Sequence, residues 1–174
     1  MKTLEAINYR TSYRGAYTNE SVPEEDLKLI LEAGLAAPSG CNTQTTSIVA
    51  VDDSLLLEKI RNIMTRPVGK TAPALIFVLA EFIPSYHGRC FAVQDYSAAI
   101  QNMLLEIVEL GYESCWVEGY VNGDDGIGAE IAKILELDSK YKVVCMLPVG
   151  KAAESIKRVT KKSFDERAWF NIKK

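Results

Sequence analysis

Ala74-Leu75-Ile76-Phe77-Val78-Leu79-Ala80 is a nearly continuous apolar run. A short stretch with no polar residue at alternate positions predicts a central strand buried on both faces, so the core of a sheet starts here. Upstream, Ser47 to Asp52 is short and β-branched and predicts a second strand; downstream, Lys142 to Val149 predicts a third, with Pro148 near its end. Ser114-Cys115-Trp116-Val117-Glu118-Gly119 reads as either a strand or an extended segment.

Helical periodicity fills the intervals. Leu4 to Tyr9 is a short amphipathic segment. A second helix starts at Ser21 or Val22, with Pro23 near its first turn and acids at Glu24, Glu25 and Asp26 that favour the positive end of the helix dipole. Leu27, Ile30, Leu31 and Leu35 recur at helical spacing, and the helix is expected to end by Ala37 because Pro38 disfavours continuation. Ser54 is expected to cap a helix through Ile63. From about Phe91 to Leu110 apolar residues cover much of a helix circumference, predicting a long central helix stopped by Gly111; Ile127 to Leu135 predicts another.

The 174 residues, 48% hydrophobic and 25% charged, fit a single domain with a real core. The net charge of -3 gives no basic field to attract nucleic acid or an anionic membrane, so the Arg and Lys clusters must act locally. The start MKTLEAINYR lacks the apolar stretch of a signal peptide, and no segment approaches the roughly 20 apolar residues of a membrane span, so a cytoplasmic protein is expected. Cys41, Cys90, Cys115 and Cys145 are far apart and form no CxxC pair, and His87 is the only histidine; neither a metal site nor a disulfide framework is expected. The tail from Lys151 is dominated by charge until Trp169 and Phe170, aromatics that need somewhere to bury.

Two stretches carry chemistry. Tyr9-Arg10-Thr11-Ser12-Tyr13-Arg14 sets two guanidinium groups around two hydroxyls, a donor set suited to a phosphate dianion. Ala37-Pro38-Ser39-Gly40-Cys41-Asn42-Thr43-Gln44, just beyond a helix C-terminus, is a turn suited to something flat and rich in hydrogen-bonding edges. Each has a plainer reading: Arg10 and Arg14 as a solvated helix face, Ser39 and Asn42 as turn caps, Trp116 as core, Glu118 as a surface carboxylate. Cys41 reads as a small filler, since no base or resolving cysteine is near it in sequence, and His87 as an exposed loop residue.

Taken in order, these landmarks resemble the nitroreductase family of FMN-dependent oxidoreductases. Arg10, Ser12 and Arg14 match an opening Arg-Arg-Ser-x-Arg pattern, with Thr11 in place of the second Arg. Ala37, Pro38, Ser39, Asn42 and Gln44 match Ala-Pro-Ser-x-x-Asn-x-Gln, with Thr45 and Thr46 where Pro and Trp are usual. The helix from Asp95 to Gly111 followed by Cys115-Trp116, the strand Val143 to Gly150, and Lys161-Lys162-Ser163-Phe164 answer the remaining landmarks.

The resemblance implies an α+β fold, a mixed and mainly antiparallel sheet flanked by helices, built as an intertwined homodimer with FMN at the subunit interface. It implies one FMN-binding domain over 1–174, with 151–174 an arm packing on the partner. Arg10, Thr11, Ser12, Arg14 and Lys161 are then assigned to the phosphate. Pro38, Ser39 and Asn42 reach the ring and ribityl region from the other subunit. Trp116, Val117, Glu118 and Gly119 run along one ring edge, with the N–H of Glu118 or Gly119 aimed at the hydride-accepting nitrogen. No catalytic acid, base or nucleophile is expected from the chain, since the flavin carries the chemistry.

The function implied is transfer of hydride from NAD(P)H, by a ping-pong mechanism, to nitroaromatic, quinone or similar electron-poor acceptors. Tyr86, His87 and Arg89 are candidates for a lid. Dehalogenation, flavin fragmentation and azoline oxidation would need extra lid segments or partners, and the chain is short for these. The rival from another class is a non-catalytic FMN-binding, storage or sensor protein of the same fold, or a scaffold that has lost the cofactor.

Overall fold

The structure is a computed structural model and describes residues 2–171. Its sheet holds β1 (Thr46–Val51), β2 (Ala74–Ala80) and β3 (Lys142–Val149) in the order β1-β2-β3, antiparallel throughout the described residues. The helices are α1 (Thr3–Tyr9), α2 (Glu24–Leu35), α3 (Ser54–Ile63), α4 (Ala92–Glu109), α5 (Gly119–Asn122), α6 (Gly128–Ile134) and α7 (Phe164–Arg167).

All seven residues of β2 are buried, as the apolar run requires, and the strand divides the interior into two cores. On one face Leu75, Phe77 and Leu79 pack with Leu57 and Ile60 of α3, Ile131 of α6 and Tyr120 of α5. On the other, Ala74, Ile76, Val78 and Ala80 pack with Ile30 of α2 and Tyr96, Ile100, Met103 and Ile107 of α4. A bulge between Val78 and Leu79 shifts the register against β3.

Segment 113–117 lies along the outer edge of β3. The Glu113 N–H donates to Gly150 O at 2.9 Å, and Val117 and Met146 exchange backbone bonds of 3.1 and 3.0 Å. Pro148 sits two residues beyond Met146, hence on the same edge, and has no N–H to give. This explains isolated bridges in place of a fourth strand.

Helix boundaries follow local chemistry. Pro23 is the N-cap of α2, and Glu24, Glu25 and Asp26 occupy its first turn. At α3 the expected Ser54 cap gives way to Asp53, whose carboxylate accepts from the N–H groups of Leu55 and Leu56 at 3.1 and 2.9 Å. An Asp one residue earlier takes over the capping, and Ser54 becomes the first helical residue. Gly111 ends α4 with φ +82°; its N–H donates to Val108 O, and the Tyr112 N–H donates to Ile107 O, the paired bonds of a glycine C-cap.

The tail begins anchored: Ala152 bridges Tyr17, and the Ala153 N–H donates to Ala16 O at 2.9 Å. Beyond it Val159, Phe164, Trp169 and Phe170 are exposed, Phe170 at 82%. The last three residues of the arm expected over 151–174 lie outside the described residues.

Candidate functional site

The first motif leaves the end of α1 as irregular chain and is pinned by a bond from the Tyr13 N–H to Ser114 O at 2.9 Å. That bond sets residues 10–14 beside residues 114–118. The two arginines part company there. Arg10 and Thr11 line a cavity of about 320 Å³ with Asn8, Gln101, Arg158, Lys161 and Arg167. Arg14 lines another of about 440 Å³ with Arg66, Val68, Trp116, Val117, Glu118, Gly119 and Tyr120. Ser12 is half-buried and lines neither cavity, its carbonyl accepting from Arg14 Nη1 at 3.4 Å.

The first cavity gathers four cations from a chain whose overall charge is negative. Arg158 also donates to the Tyr9 carbonyl and sits 3.8 Å from the carboxylate of Glu113, a buried residue. Burial pushes the Glu113 carboxyl above its ordinary range, and the Arg158 cation opposes that push. Sequence reasoning missed Arg158 and Arg167 as members of this group; only the general excess of charge in the tail pointed to them.

In the second cavity the Glu118 side chain is fixed from two sides. Buried Tyr96 of α4 donates its O–H to Oε1 at 2.7 Å, and Trp116 donates its ring N–H to Oε2 at 2.8 Å. Burial first, then the bond to Glu118, drives the Tyr96 phenol well above its usual range, so it remains a donor at any ordinary pH. Glu118 is therefore a held carboxylate rather than a solvated one. Its main chain leads directly into α5, where the N–H of Gly119 lacks an intrahelical acceptor. Arg66, also unforeseen, stacks over the Tyr120 ring at 5.0 Å, and the Tyr120 hydroxyl accepts from the Thr65 N–H at 2.7 Å.

Pro38 and Ser39 line a third cavity of about 210 Å³ with Leu35, Gln44, Thr46 and Asp95. Thr46 Oγ1 is buried without a hydrogen-bond partner. Asn42 stands exposed in the same turn with φ +55°. Among the described residues, no cavity of the three joins this turn to the residues of the first motif or to Trp116–Gly119.

The remaining candidates fall outside these cavities. Tyr86, His87 and Arg89 form an exposed loop, closed by a bridge between Pro84 and Cys90 and stiffened by edge-on packing of the Tyr86 and His87 rings at 4.1 Å. Cys115 and Cys145 are buried and Cys41 and Cys90 exposed, all four free. Burial pushes the Cys115 thiol up to about 11 despite the nearby Arg14 cation, so it is inert at neutral pH. Among the described residues no group of three or more His, Cys, Asp or Glu is placed to hold a metal ion, and no helix is long and apolar enough to cross a membrane.

The model of the nitroreductase family matches residues 7–66 and 64–151. A protein of Methanothermobacter thermautotrophicus, provisionally named NADH dehydrogenase/NAD(P)H nitroreductase, is 33% identical over 162 residues, covering 89% of this chain and 80% of its own. Among solved structures, an FMN-dependent nitroreductase of Clostridium difficile R20291 aligns with a TM-score of 0.78 at 27% identity, covering 97% of this chain and 98% of its own. A nitroreductase of Bacteroides fragilis with bound FMN aligns with a TM-score of 0.75 at 29% identity, covering 94% and 96%.

Proposed function

The chain belongs to the nitroreductase family, and from that premise we propose that it is an FMN-dependent NAD(P)H oxidoreductase acting on nitroaromatics, quinones or similar electron-poor acceptors. The observation that carries this reading is the sorting of the motif residues into a cationic cavity and, beside it, a cavity walled by Trp116–Gly119. Similarity to an FMN-dependent and an FMN-bound nitroreductase supports the choice of flavin.

The residues fit that cofactor. Arg10 and Lys161, joined by Arg158 and Arg167, supply forked and point-like cations for a phosphate dianion, with Thr11 adding a neutral donor and Ser12 next to it in the chain as a second candidate. Trp116, Val117, Glu118 and Gly119 line the ring edge, where the N–H at the start of α5 is a donor without an intrahelical acceptor. Arg14 and Arg66 outnumber the Glu118 carboxylate in that wall, an excess of positive charge that favours the negative charge gained on reduction. FMN held by these residues would supply hydride acceptance from NAD(P)H and hydride delivery to the acceptor, in ping-pong order. The chain provides no acid, base or nucleophile; it binds, orients and sets the electrostatics.

The second half of the site comes from a partner copy. Pro38, Ser39 and Asn42 stand apart from the other motif residues within one chain, as a turn serving a neighbour's flavin would. Exposed Leu4, Ile7, Leu35, Val93, Trp169 and Phe170 are apolar surface that a homodimer would cover, the tail acting as an exchanged arm. The Tyr86–Arg89 loop is the candidate lid, and the cytoplasm the expected compartment.

The test is steady-state kinetics on protein as purified. FMN retained at about one per chain, with parallel initial-velocity lines when NADH or NADPH is varied against a nitroaromatic or a quinone, is the expected result. FMN bound without turnover would favour the storage or sensor reading.

A further inference from the structure

The turn after α2 is unusual in its backbone. Cys41, Asn42 and Gln44 all have positive φ, at +53°, +55° and +52°. Asn tolerates that region; Cys and Gln visit it at a cost, so such a turn persists only where its surroundings over-determine it. Bonds within the turn give it shape: Asn42 N–H to Ser39 O at 3.0 Å, Thr43 N–H to Gly40 O at 3.1 Å and Gln44 N–H to Ser39 Oγ at 3.0 Å. They do not fix its place on the protein.

Asp95 does. It stands in the first turn of α4, 4% exposed, and each carboxylate oxygen takes one bond from the turn. The Gly40 N–H donates to Oδ1 at 2.8 Å, and the Thr45 hydroxyl donates to Oδ2 at 2.7 Å, so one side chain grips both ends of the left-handed stretch. The grip needs close approach: a Cβ on Gly40 would lie 2.8 Å from Cβ of Phe91, immediately before α4. Thr45, which departs from the usual Pro, is thereby accounted for as half of this anchor.

We propose that Asp95 is a positioning residue for the flavin: it holds the Pro38–Asn42 turn so that Ser39 and Asn42 present their polar groups to the cofactor. Ser39 Oγ already accepts from Gln44, which leaves its O–H free to donate outward. The neighbouring Tyr96 holds Glu118, so adjacent residues at the start of α4 fix two pieces of chain, the turn that serves the partner's ring and the segment that lines this chain's own. The proposal rests on the FMN reading above.

The experiment is a double-mutant cycle on the full chain, with FMN titrated into the apoprotein by fluorescence quenching. Asp95→Ala is expected to weaken FMN binding roughly 10- to 100-fold, the range for a lost buried charge-assisted bond. Ser39→Ala is expected to weaken it in the wild-type background and to add nothing in the Asp95→Ala background, where the turn is already displaced. Asp95→Asn, which can still accept from Gly40 and pair with Thr45, is expected to restore binding to within a few-fold. A Ser39→Ala effect of equal size in both backgrounds, or wild-type affinity in folded Asp95→Ala, would overturn the proposal while leaving the flavin reading intact. Should Asp95→Ala not fold, Thr45→Val carries the same cycle with the same two outcomes. A wild-type protein that takes up no FMN would overturn both.

Discussion

Arg10→Ala and Arg14→Ala form a matched pair, because the structure puts the two guanidinium groups in different cavities. Arg10 is half-buried among Arg158, Lys161 and Arg167. A hydrogen bond to a charged group contributes about 1.5–3 kcal/mol. Three cations remain in the cavity after the substitution, which places Arg10→Ala near the lower end, about 1.5 kcal/mol or roughly tenfold in Kd. Riboflavin separates the roles, since it keeps the ring and lacks the phosphate. Fluorescence titration of the apoproteins with both ligands is expected to show Arg10→Ala weakening FMN about tenfold and leaving riboflavin unchanged, with the FMN loss shrinking as salt is raised. Arg14→Ala is expected to weaken both ligands by one common factor, because Arg14 lies with Trp116–Gly119. Equal loss of FMN and riboflavin in Arg10→Ala, or full retention of FMN, would refute the assignment of that cavity to the phosphate.

Three further outcomes follow from the geometry. Tyr96→Phe removes one of the two donors to Glu118 and is expected to cost about 1–3 kcal/mol of stability, read as a lower urea midpoint with an unchanged slope. Glu113 has its folded-state carboxyl raised by burial, so the folded protein holds a proton the unfolded chain has lost, and its contribution to stability falls as pH rises through that interval; Glu113→Gln is expected to raise the melting temperature more at pH 7 than at pH 4, and an equal gain at both would contradict the assignment. Cutting the chain after Ala153 removes the exposed tail aromatics with Arg158, Lys161 and Arg167, and is expected to give insoluble or monomeric, flavin-free protein; a soluble, yellow, truncated dimer would count against the exchanged arm.

Much of this fold was legible because its signals are local. The β2 boundaries coincide with the apolar run at 74–80, and β3 opens on exposed Lys142 and runs through the buried stretch to Val149, since a strand buried on both faces reads as a continuous apolar run with clear ends. The α4 stop at Gly111 needed only the rule that glycine accepts positive φ. The α3 cap was displaced by one residue because Asp53 and Ser54 are both competent caps and only geometry chooses between them. The ambiguity at 114–119 was a matter of pairing: whether that segment forms a ladder depends on Pro148, thirty residues away.

The candidate site was legible only in part. Motifs pointed to Arg10, Ser39 and Glu118, but nothing local links Arg66 to Arg14, Arg158 and Arg167 to Arg10, or Tyr96 to Glu118, since those relations exist only after folding. Asp95 carried one signal that was available in principle: an acid on a helix face otherwise occupied by Ala92, Tyr96, Ala99 and Ile100, where a carboxylate needs donors from elsewhere.

The most direct test of the central claim is an anaerobic reductive titration of the purified protein. The protein is expected to be yellow, to bleach on addition of NADH or NADPH, and to regain its colour when a nitroaromatic or quinone is added without air. A colourless protein indifferent to added FMN, or a yellow one that neither nicotinamide bleaches, would contradict it.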